Sequence, residues 1–297
     1  MNIALALDIG GSHVTAAAVD LEHRAIIETS LTRHDVSQDA AADVLVQAWA
    51  NAAQTASQAI PAATVQHIGI AMPGPFDYTH GISLLQHKFA AMYQHNIADD
   101  LRTFWAGAPL AGPLKAVPIY FANDAAAWAL GEWWGGAAQG QARVIGITLG
   151  TGFGSGFVAN AHIVTEGERV PPGGELWNAP YQGDIAENFV AGAALQRAYA
   201  THMGHEVLVS EIAQRSGAGD AAAQAVFSEM GQHLAHILQP WVQRFQPDCL
   251  VVGGNIARAW DHFHAALEAG LPMLTCRRTE QFEQSSLLGA AALGFNR

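Results

Sequence analysis

Apolar residues fall into short runs closed by glycine-rich breaks, and into longer alanine-rich stretches with helical spacing. Residues 3–9 (Ile-Ala-Leu-Ala-Leu-Asp-Ile) predict a buried strand, Gly10-Gly11-Ser12 a turn and Val14 to Val19 a second strand, so the chain opens as a β-hairpin. A dinucleotide fingerprint would pass from strand to helix instead. Residues 38–59 place Leu45, Val46, Trp49 and Ala53 at helical spacing, with Ser37 or Asp39 as candidate caps. Residues 65–71 predict a strand, and Met72 to Asp77 a loop, because its two prolines suit neither a central strand nor a helix interior. Residues 97–105 predict a short helix. Ala106 to Pro118 is rich in Gly and Pro and is the candidate boundary between lobes.

The apolar run Val117 to Ala122 then meets the polar pair Asn123-Asp124, followed by an alanine-rich helical run. Val144 to Leu149 predicts a strand, Gly150-Thr-Gly-Phe-Gly-Ser-Gly156 a glycine-rich turn, and Phe157 to Asn160 the return strand. The device of residues 8–19 thus recurs at 146–160, the pattern expected of a duplicated lobe. Residues 165–183 predict a loop, and 184–200, 206–215, 219–245, 256–269 and 286–294 predict helices. Cys249 to Val252 is an apolar strand ending in Gly253-Gly254-Asn255.

Composition narrows this picture. Of 297 residues, half are hydrophobic and 13% are charged, which permits a sizeable core and excludes a disordered chain. The net charge of -12 disfavours a nucleic-acid scaffold but not a single nucleotide, which backbone N–H groups can hold. Two distant cysteines, Cys249 and Cys276, make no disulfide framework and suit a reducing compartment. The N-terminus lacks a basic region before its apolar run, and no run approaches the roughly 18 residues of a membrane span. A cytoplasmic protein with no membrane partner is the expectation.

Several stretches carry candidate chemistry, each with a plainer alternative. Asp124 stands where a strand ends and a helix opens, the place where open α/β sheets bind ligands, or it is simply the helix cap. Asp8-Ile-Gly-Gly-Ser12 is either a hairpin turn or an anion nest, with Asp8 placed to orient hydrated Mg²⁺. Gly150 to Gly156 holds more glycines than a hairpin needs, and Thr151 adds a hydroxyl, which suits a second phosphate loop as well as a plain turn. Gly253-Gly254 can admit a flat nucleoside, or Asn255 can cap the helix that follows. Glu175 and Glu187 suit sugar hydroxyls, or are solvated charges and caps. His233-x-x-His236 and His262-x-His264 lack the glutamate or cysteine partners of zinc sites and read as helix-face residues.

Taken in order, Asp8-Ile-Gly-Gly-Ser-His, Gly74-Pro-Phe-Asp77, Asn123-Asp124 through Gly131-Glu132, Leu149-Gly-Thr-Gly-x-Gly-x-Gly156, Gly174-Glu-Leu176, Val252-Gly-Gly254 and Leu288-Gly-Ala-Ala-Ala-Leu293 resemble the ROK family of sugar kinases over almost the whole chain. The resemblance implies an α/β chain of two lobes with the duplicated actin-like ATPase (ribonuclease H-like) fold and a nucleotide in a central cleft. It implies an N-terminal lobe of residues 1–115, joined by the C-terminal helix at about 285–297, and a C-terminal lobe of 116–284. The implied reaction is ATP-dependent phosphorylation of glucose or a related hexose, with Asp124 as general base. Asn123, Glu175, Asn178 and Glu187 would hold the sugar. Asp8, Gly10, Gly11, Ser12, Thr151 and Gly152 would cradle phosphates and Mg²⁺, the metal held by Asp8 through water. Gly253 and Gly254 would face the nucleoside. A homodimer is implied as well.

The chain departs from the family on the acceptor side. Trp177-Asn178 replaces the usual Gly-His, and Asn178 cannot ionise. The cysteine-rich zinc segment expected between about 179 and 190 is replaced by Pro180-Tyr-Gln-Gly-Asp, so no zinc is expected. His87 to Asn96 stands where the usual sugar loop belongs, and Ser12-His13 stands for the usual Thr-Lys. A kinase for an amino sugar such as N-acetylmannosamine or N-acetylglucosamine is one alternative. A non-catalytic sugar- or nucleotide-binding regulator is the other, although Asn123-Asp124 and both glycine loops favour turnover. No N-terminal helix-turn-helix is read, which disfavours the family's repressor branch.

Overall fold

The computed structural model describes residues 2–60, 65–107 and 114–295. The chain divides into two compact units, one of Met1–Gly135 with Glu283–Arg297, the other of Gly136–Phe282. The glycine- and proline-rich boundary expected at 106–118 lies within the first unit, and its residues 108–113 lie outside the described ones. The change of unit comes at Gly135, because residues after 118 add a strand to the first sheet and a helix that packs on the chain's last helix.

In the first unit, β1 (Ile3–Ile9) pairs antiparallel with β2 (His13–Asp20). Short β3 (Ala25–Ile26) and β4 (Thr32–Asp35) both pair with β2. After helix α1 (Ala42–Gln58), β5 (Val65–Met72) joins β1 in parallel. A small hairpin, β6 (Phe76–Asp77) and β7 (Ile82–Ser83), and helix α2 (Ile97–Ala106) precede β8 (Ile119–Asn123), which joins β5 in parallel. The order is β3-β2-β1-β5-β8. Residues on both sides of β1 are buried, hence its unbroken apolar run. Ala41 rather than Ser37 or Asp39 precedes α1, and no side chain caps it; the helix is held by its buried stripe Leu45, Trp49, Ala52, Ala53 and Ala56.

Helix α3 (Asp124–Gly135) packs against the C-terminal helix Gln284–Ala292 with backbone nearly touching backbone. A Cβ on Gly289 would overlap the Ala127 carbonyl, and one on Gly131 the Ser285 carbonyl. Glu132, buried in this contact, accepts the Ser285 hydroxyl at 2.6 Å. Close small-residue packing thus ties the end of the chain to its first unit.

The second unit repeats the plan. Strands β9 (Arg143–Leu149) and β10 (Phe153–Ala159) form the hairpin, with β11 (His162–Ile163) at its edge. A two-stranded hairpin, β12 (Pro180–Tyr181) and β13 (Asp184–Ile185), leads into α4 (Glu187–Val190) and α5 (Gly192–Met203). Then come α6 (Val209–Gly217), α7 (Ala221–Phe245), β14 (Cys249–Gly253), α8 (Trp260–Gly270) and β15 (Thr275–Arg278), with α9 the C-terminal helix Gln284–Ala292. The sheet order β11-β10-β9-β14-β15 matches the path β3-β2-β1-β5-β8 of the first sheet, which has β4 in addition, and β14 is parallel to both β9 and β15. Both sheets therefore gather the carboxyl ends of three parallel strands at one edge, as duplication of a lobe requires.

Candidate active site

In the first unit that edge carries Asp8 next to the end of β1, Met72 at the end of β5 and Asn123 at the end of β8. Asn123, not Asp124, caps α3: its Oδ1 accepts the N–H of Ala125 at 3.0 Å and of Ala126 at 3.1 Å. Its amide donates to the Tyr78 hydroxyl at 3.4 Å, and that hydroxyl donates to the Met72 carbonyl. Asp124 gives one oxygen to the Ala125 N–H at 2.8 Å. Its Oδ2 has no partner among the described residues, and the residue is half-buried. The plainer reading of Asp124 as the cap is thereby corrected, because its neighbour does that work. Asn123 in turn has only its amide left for a ligand.

Asp8 is pushed from 3.8 up to about 7, chiefly by burial and next by the Asp124 carboxylate. Glu283, at the start of α9, adds to the rise and Arg33 opposes it. In the turn after β1 the Gly10 N–H donates to the His13 carbonyl at 2.9 Å. The N–H groups of Gly11 and Ser12 have no protein partner among the described residues, and both residues are exposed. Glu283 is a charged neighbour of Asp8 that sequence reasoning did not find.

In the second unit the corresponding edge gathers the other predicted residues. The Gly150 N–H donates to the Gly152 carbonyl at 3.0 Å, and the Phe153 N–H to Glu187 Oε2 at 2.8 Å. Thr151 and Gly152 stand exposed between them, without protein partners for their N–H groups among the described residues. Gly253 ends β14, buried and paired with Thr148. Gly254 has φ 79°, and a Cβ there would overlap the backbone of Leu149, so glycine is required for the ends of β9 and β14 to meet. Asn255 begins a 3₁₀ turn and caps nothing with its side chain, contrary to the plainer reading of that stretch.

Glu175 Oε2 accepts the indole N–H of Trp177 at 2.8 Å, and Trp177 is 40% exposed. Asn178 is exposed and its amide has no partner among the described residues. The segment is fixed from below by buried Ser155, which donates to the Gly174 carbonyl at 2.8 Å and accepts from the Leu176 N–H at 2.9 Å. Sequence reasoning missed both Ser155 and the Trp177–Glu175 pair. Where the cysteine-rich segment was expected, the β12–β13 hairpin is braced by aromatic packing. The Tyr181 and Phe189 ring centroids are 5.0 Å apart, and the Tyr181 hydroxyl lies 2.9 Å from His233 Nδ1. His262 pairs with the Ser216 hydroxyl at 3.1 Å and His264 stacks on Trp260, so each histidine pair has a packing role.

Among the described residues no group of three or more His, Cys, Asp or Glu could hold a metal ion. Mg²⁺ needs less, because it keeps several waters and takes one or two carboxylates together with phosphate oxygens. Asp8 fits that demand: an adjacent cation would stabilise its disfavoured anion. A cavity of about 490 Å³ opens between Arg143, Glu168, Arg169 and Phe245. It lies at the far end of β9 from the glycine turn and contains none of these residues.

The ROK family model matches residues 4–294. The chain belongs to the ROK family. It is 24% identical to a glucokinase of Thermotoga maritima over 280 residues, 86% of this chain and 82% of the relative. It is 27% identical to an N-acetyl-D-glucosamine kinase of Photobacterium profundum over 210 residues, 64% of this chain and 65% of the relative. The crystal structure of a ROK hexokinase from Thermus thermophilus is similar with a TM-score of 0.80 at 25% identity, covering 99% of this chain and 98% of that one. The repeated sheet order is thus that of the actin-like ATPase fold, as expected for a ROK protein. No helix among the described residues is long and apolar enough to cross a membrane.

Proposed function

We propose that this ROK protein is a sugar kinase that transfers the γ-phosphoryl group of ATP to a hexose, with Asp124 as general base. The observation that carries this reading is the division of labour at the end of β8. Asn123 caps α3, and Asp124 keeps one carboxylate oxygen without a partner among the described residues. That oxygen takes the proton of a sugar hydroxyl as the hydroxyl oxygen bonds to phosphorus and the ADP oxygen leaves. In the first unit the N–H groups of Gly11 and Ser12, and in the second those of Thr151 and Gly152, are donors suited to phosphate oxygens. Mg²⁺, held by Asp8 through water, supplies neutralisation of phosphate charge when bound.

Glucose or a close hexose is the acceptor in this reading, as with the Thermotoga maritima relative. An N-acetylhexosamine is the second acceptor class, favoured by the exposed amide of Asn178, without a partner among the described residues, next to the exposed indole of Trp177. The protein works in the cytoplasm, as a homodimer and without zinc. The first of these accords with two cysteines outside any disulfide, Cys249 fully buried and Cys276 raised to about 12 by burial and so unreactive. ADP release measured over a panel of hexoses and N-acetylhexosamines tests the activity and names the acceptor. For Asp124→Asn we expect kcat to fall about 10²–10⁴-fold with a sugar KM within about threefold of wild type. Near-normal turnover by that variant would rule out Asp124 as the base.

A further inference from the structure

Glu187 opens α4 and reaches in two directions. Its backbone N–H donates to the Trp177 carbonyl at 3.0 Å, while its Oε2 accepts the Phe153 N–H at 2.8 Å. The first bond holds the segment that carries Glu175 and Asn178. The second holds the residue that closes the Gly150–Phe153 turn. A few residues on, the Gly192 N–H donates to the Gly150 carbonyl at 2.8 Å, so the turn is gripped at both ends from the α4–α5 stretch. Thr151 and Gly152, between the two grips, are exposed.

The position of the carboxylate also decides which side of the turn is free. A Cβ on Gly152 would lie 2.9 Å from Glu187 Oε2, so the carboxylate rests directly against the turn. A phosphate on that side would meet a like charge at close range. The turn amides without a protein partner among the described residues are those of Thr151 and Gly152. The base of Glu187 is itself fixed, because Ala186 donates to the Ala179 carbonyl at 2.9 Å and Phe189 packs on Tyr181 and His233.

We infer that Glu187 is a positioning residue for phosphoryl transfer: its carboxylate, hydrogen-bonded to Phe153, sets the glycine turn for the nucleotide and ties that setting to the acceptor segment at Trp177. The inference rests on the proposed kinase reading and moves the principal effect of Glu187 from the sugar, where the family resemblance puts it, to the nucleotide.

Glu187→Ala and Glu187→Gln separate the possibilities, since glutamine keeps an acceptor oxygen for Phe153 and loses only the charge. In Glu187→Ala the Kd for the non-hydrolysable ATP analogue AMPPNP and the KM for ATP rise at least about tenfold, and the sugar KM moves less. The Phe153 amide, whose bond to Glu187 should slow its hydrogen exchange in the wild type, exchanges fast. Glu187→Gln restores nucleotide binding to within about threefold and restores the protection of Phe153. Wild-type nucleotide affinity in Glu187→Ala overturns the inference, as does a glutamine variant no better than alanine. A sugar KM that rises in both variants while AMPPNP binding stays unchanged makes Glu187 a sugar ligand only, and leaves the kinase reading intact. A wild-type protein that neither binds AMPPNP nor phosphorylates any sugar removes the kinase reading and this inference with it.

Discussion

Asp8 offers the sharpest test of the site's electrostatics. Its carboxyl is raised from 3.8 to about 7, first by burial and then by Asp124, so the folded protein holds a proton there that the unfolded chain has released. Between those two values stability therefore falls as pH rises, and above about 7 the loss is complete. Asparagine at this position cannot ionise and escapes the loss. Each pH unit across the window is worth about 1.4 kcal/mol, so moving from about pH 5.5 to about pH 8 should cost the wild type about 2 kcal/mol relative to Asp8→Asn. The constant difference between a protonated carboxyl and an amide cancels in this comparison, as do the titrations common to both proteins. Urea unfolding at the two pH values, in EDTA so that no divalent cation neutralises Asp8, measures the effect. The variant should gain on the wild type as pH rises while losing kinase activity, an exchange of function for stability found at sites held in strained surroundings. Parallel pH profiles, or a wild type that gains on the variant with pH, would refute the reasoning.

Two further substitutions probe the framework around the site. Gly289→Ala drives a methyl group into the Ala127 carbonyl across the α3–α9 contact, where backbone rather than a flexible side chain must yield. It should destabilise the protein by about 3 kcal/mol or more in chemical denaturation, and a loss below about 1 kcal/mol would mean that the helices separate easily. Ser155→Ala leaves the buried Gly174 carbonyl and Leu176 N–H without their shared hydroxyl. It should cost about 2–3 kcal/mol and raise the KM for the sugar through the loosened Glu175 segment, with little change in the KM for ATP; an unaltered sugar KM would separate Ser155 from the acceptor site.

Features built from continuous local pattern were legible in the sequence. Both glycine hairpins, the strand that ends at Asn123 and the duplication of the lobe follow from apolar runs broken by glycine, because strands buried on both faces need no alternation. Short polar edge strands were not legible. Thr275–Arg278 is mostly polar and partly exposed, and it becomes β15 only because β14 offers it a ladder. Which of two neighbouring residues caps a helix was equally hidden: Asn123 and Asp124 are both good caps, and the end of β8 decides between them. The contacts that matter most to the proposed chemistry are the least local. Glu187 meets Phe153 and Glu283 perturbs Asp8 through the folded sheets, and no spacing rule connects either pair. The boundary between units also moved past the Gly- and Pro-rich stretch, since packing on α9, not composition, decides where α3 belongs.

Duplication makes a stricter comparison possible, because corresponding positions of the two sheets can be set side by side. Strand β1 ends in Asp8-Ile9 before its glycine turn, and β9 ends in Thr148-Leu149 before its own. The residue after β8 is Asp124, whereas the residue after β15 is Thr279, buried with its N–H on the Val252 carbonyl. The two positions that hold carboxylates in the first unit thus hold threonines in the second. The Asp124 carboxylate, second to burial, disfavours ionisation of Asp8 by charge repulsion. No packing advantage follows from that repulsion, since the second unit builds the same sheet edge without it. The proposed function gives the two charges a use: Asp8 to attract a cation, Asp124 to take a proton. The second unit brings Glu187 to its turn from α4 rather than from a strand end, with an oxygen already committed to a backbone N–H. The same fold, used twice, thus carries Asp8 and Asp124 at strand ends in its first copy and threonines at the corresponding positions of its second.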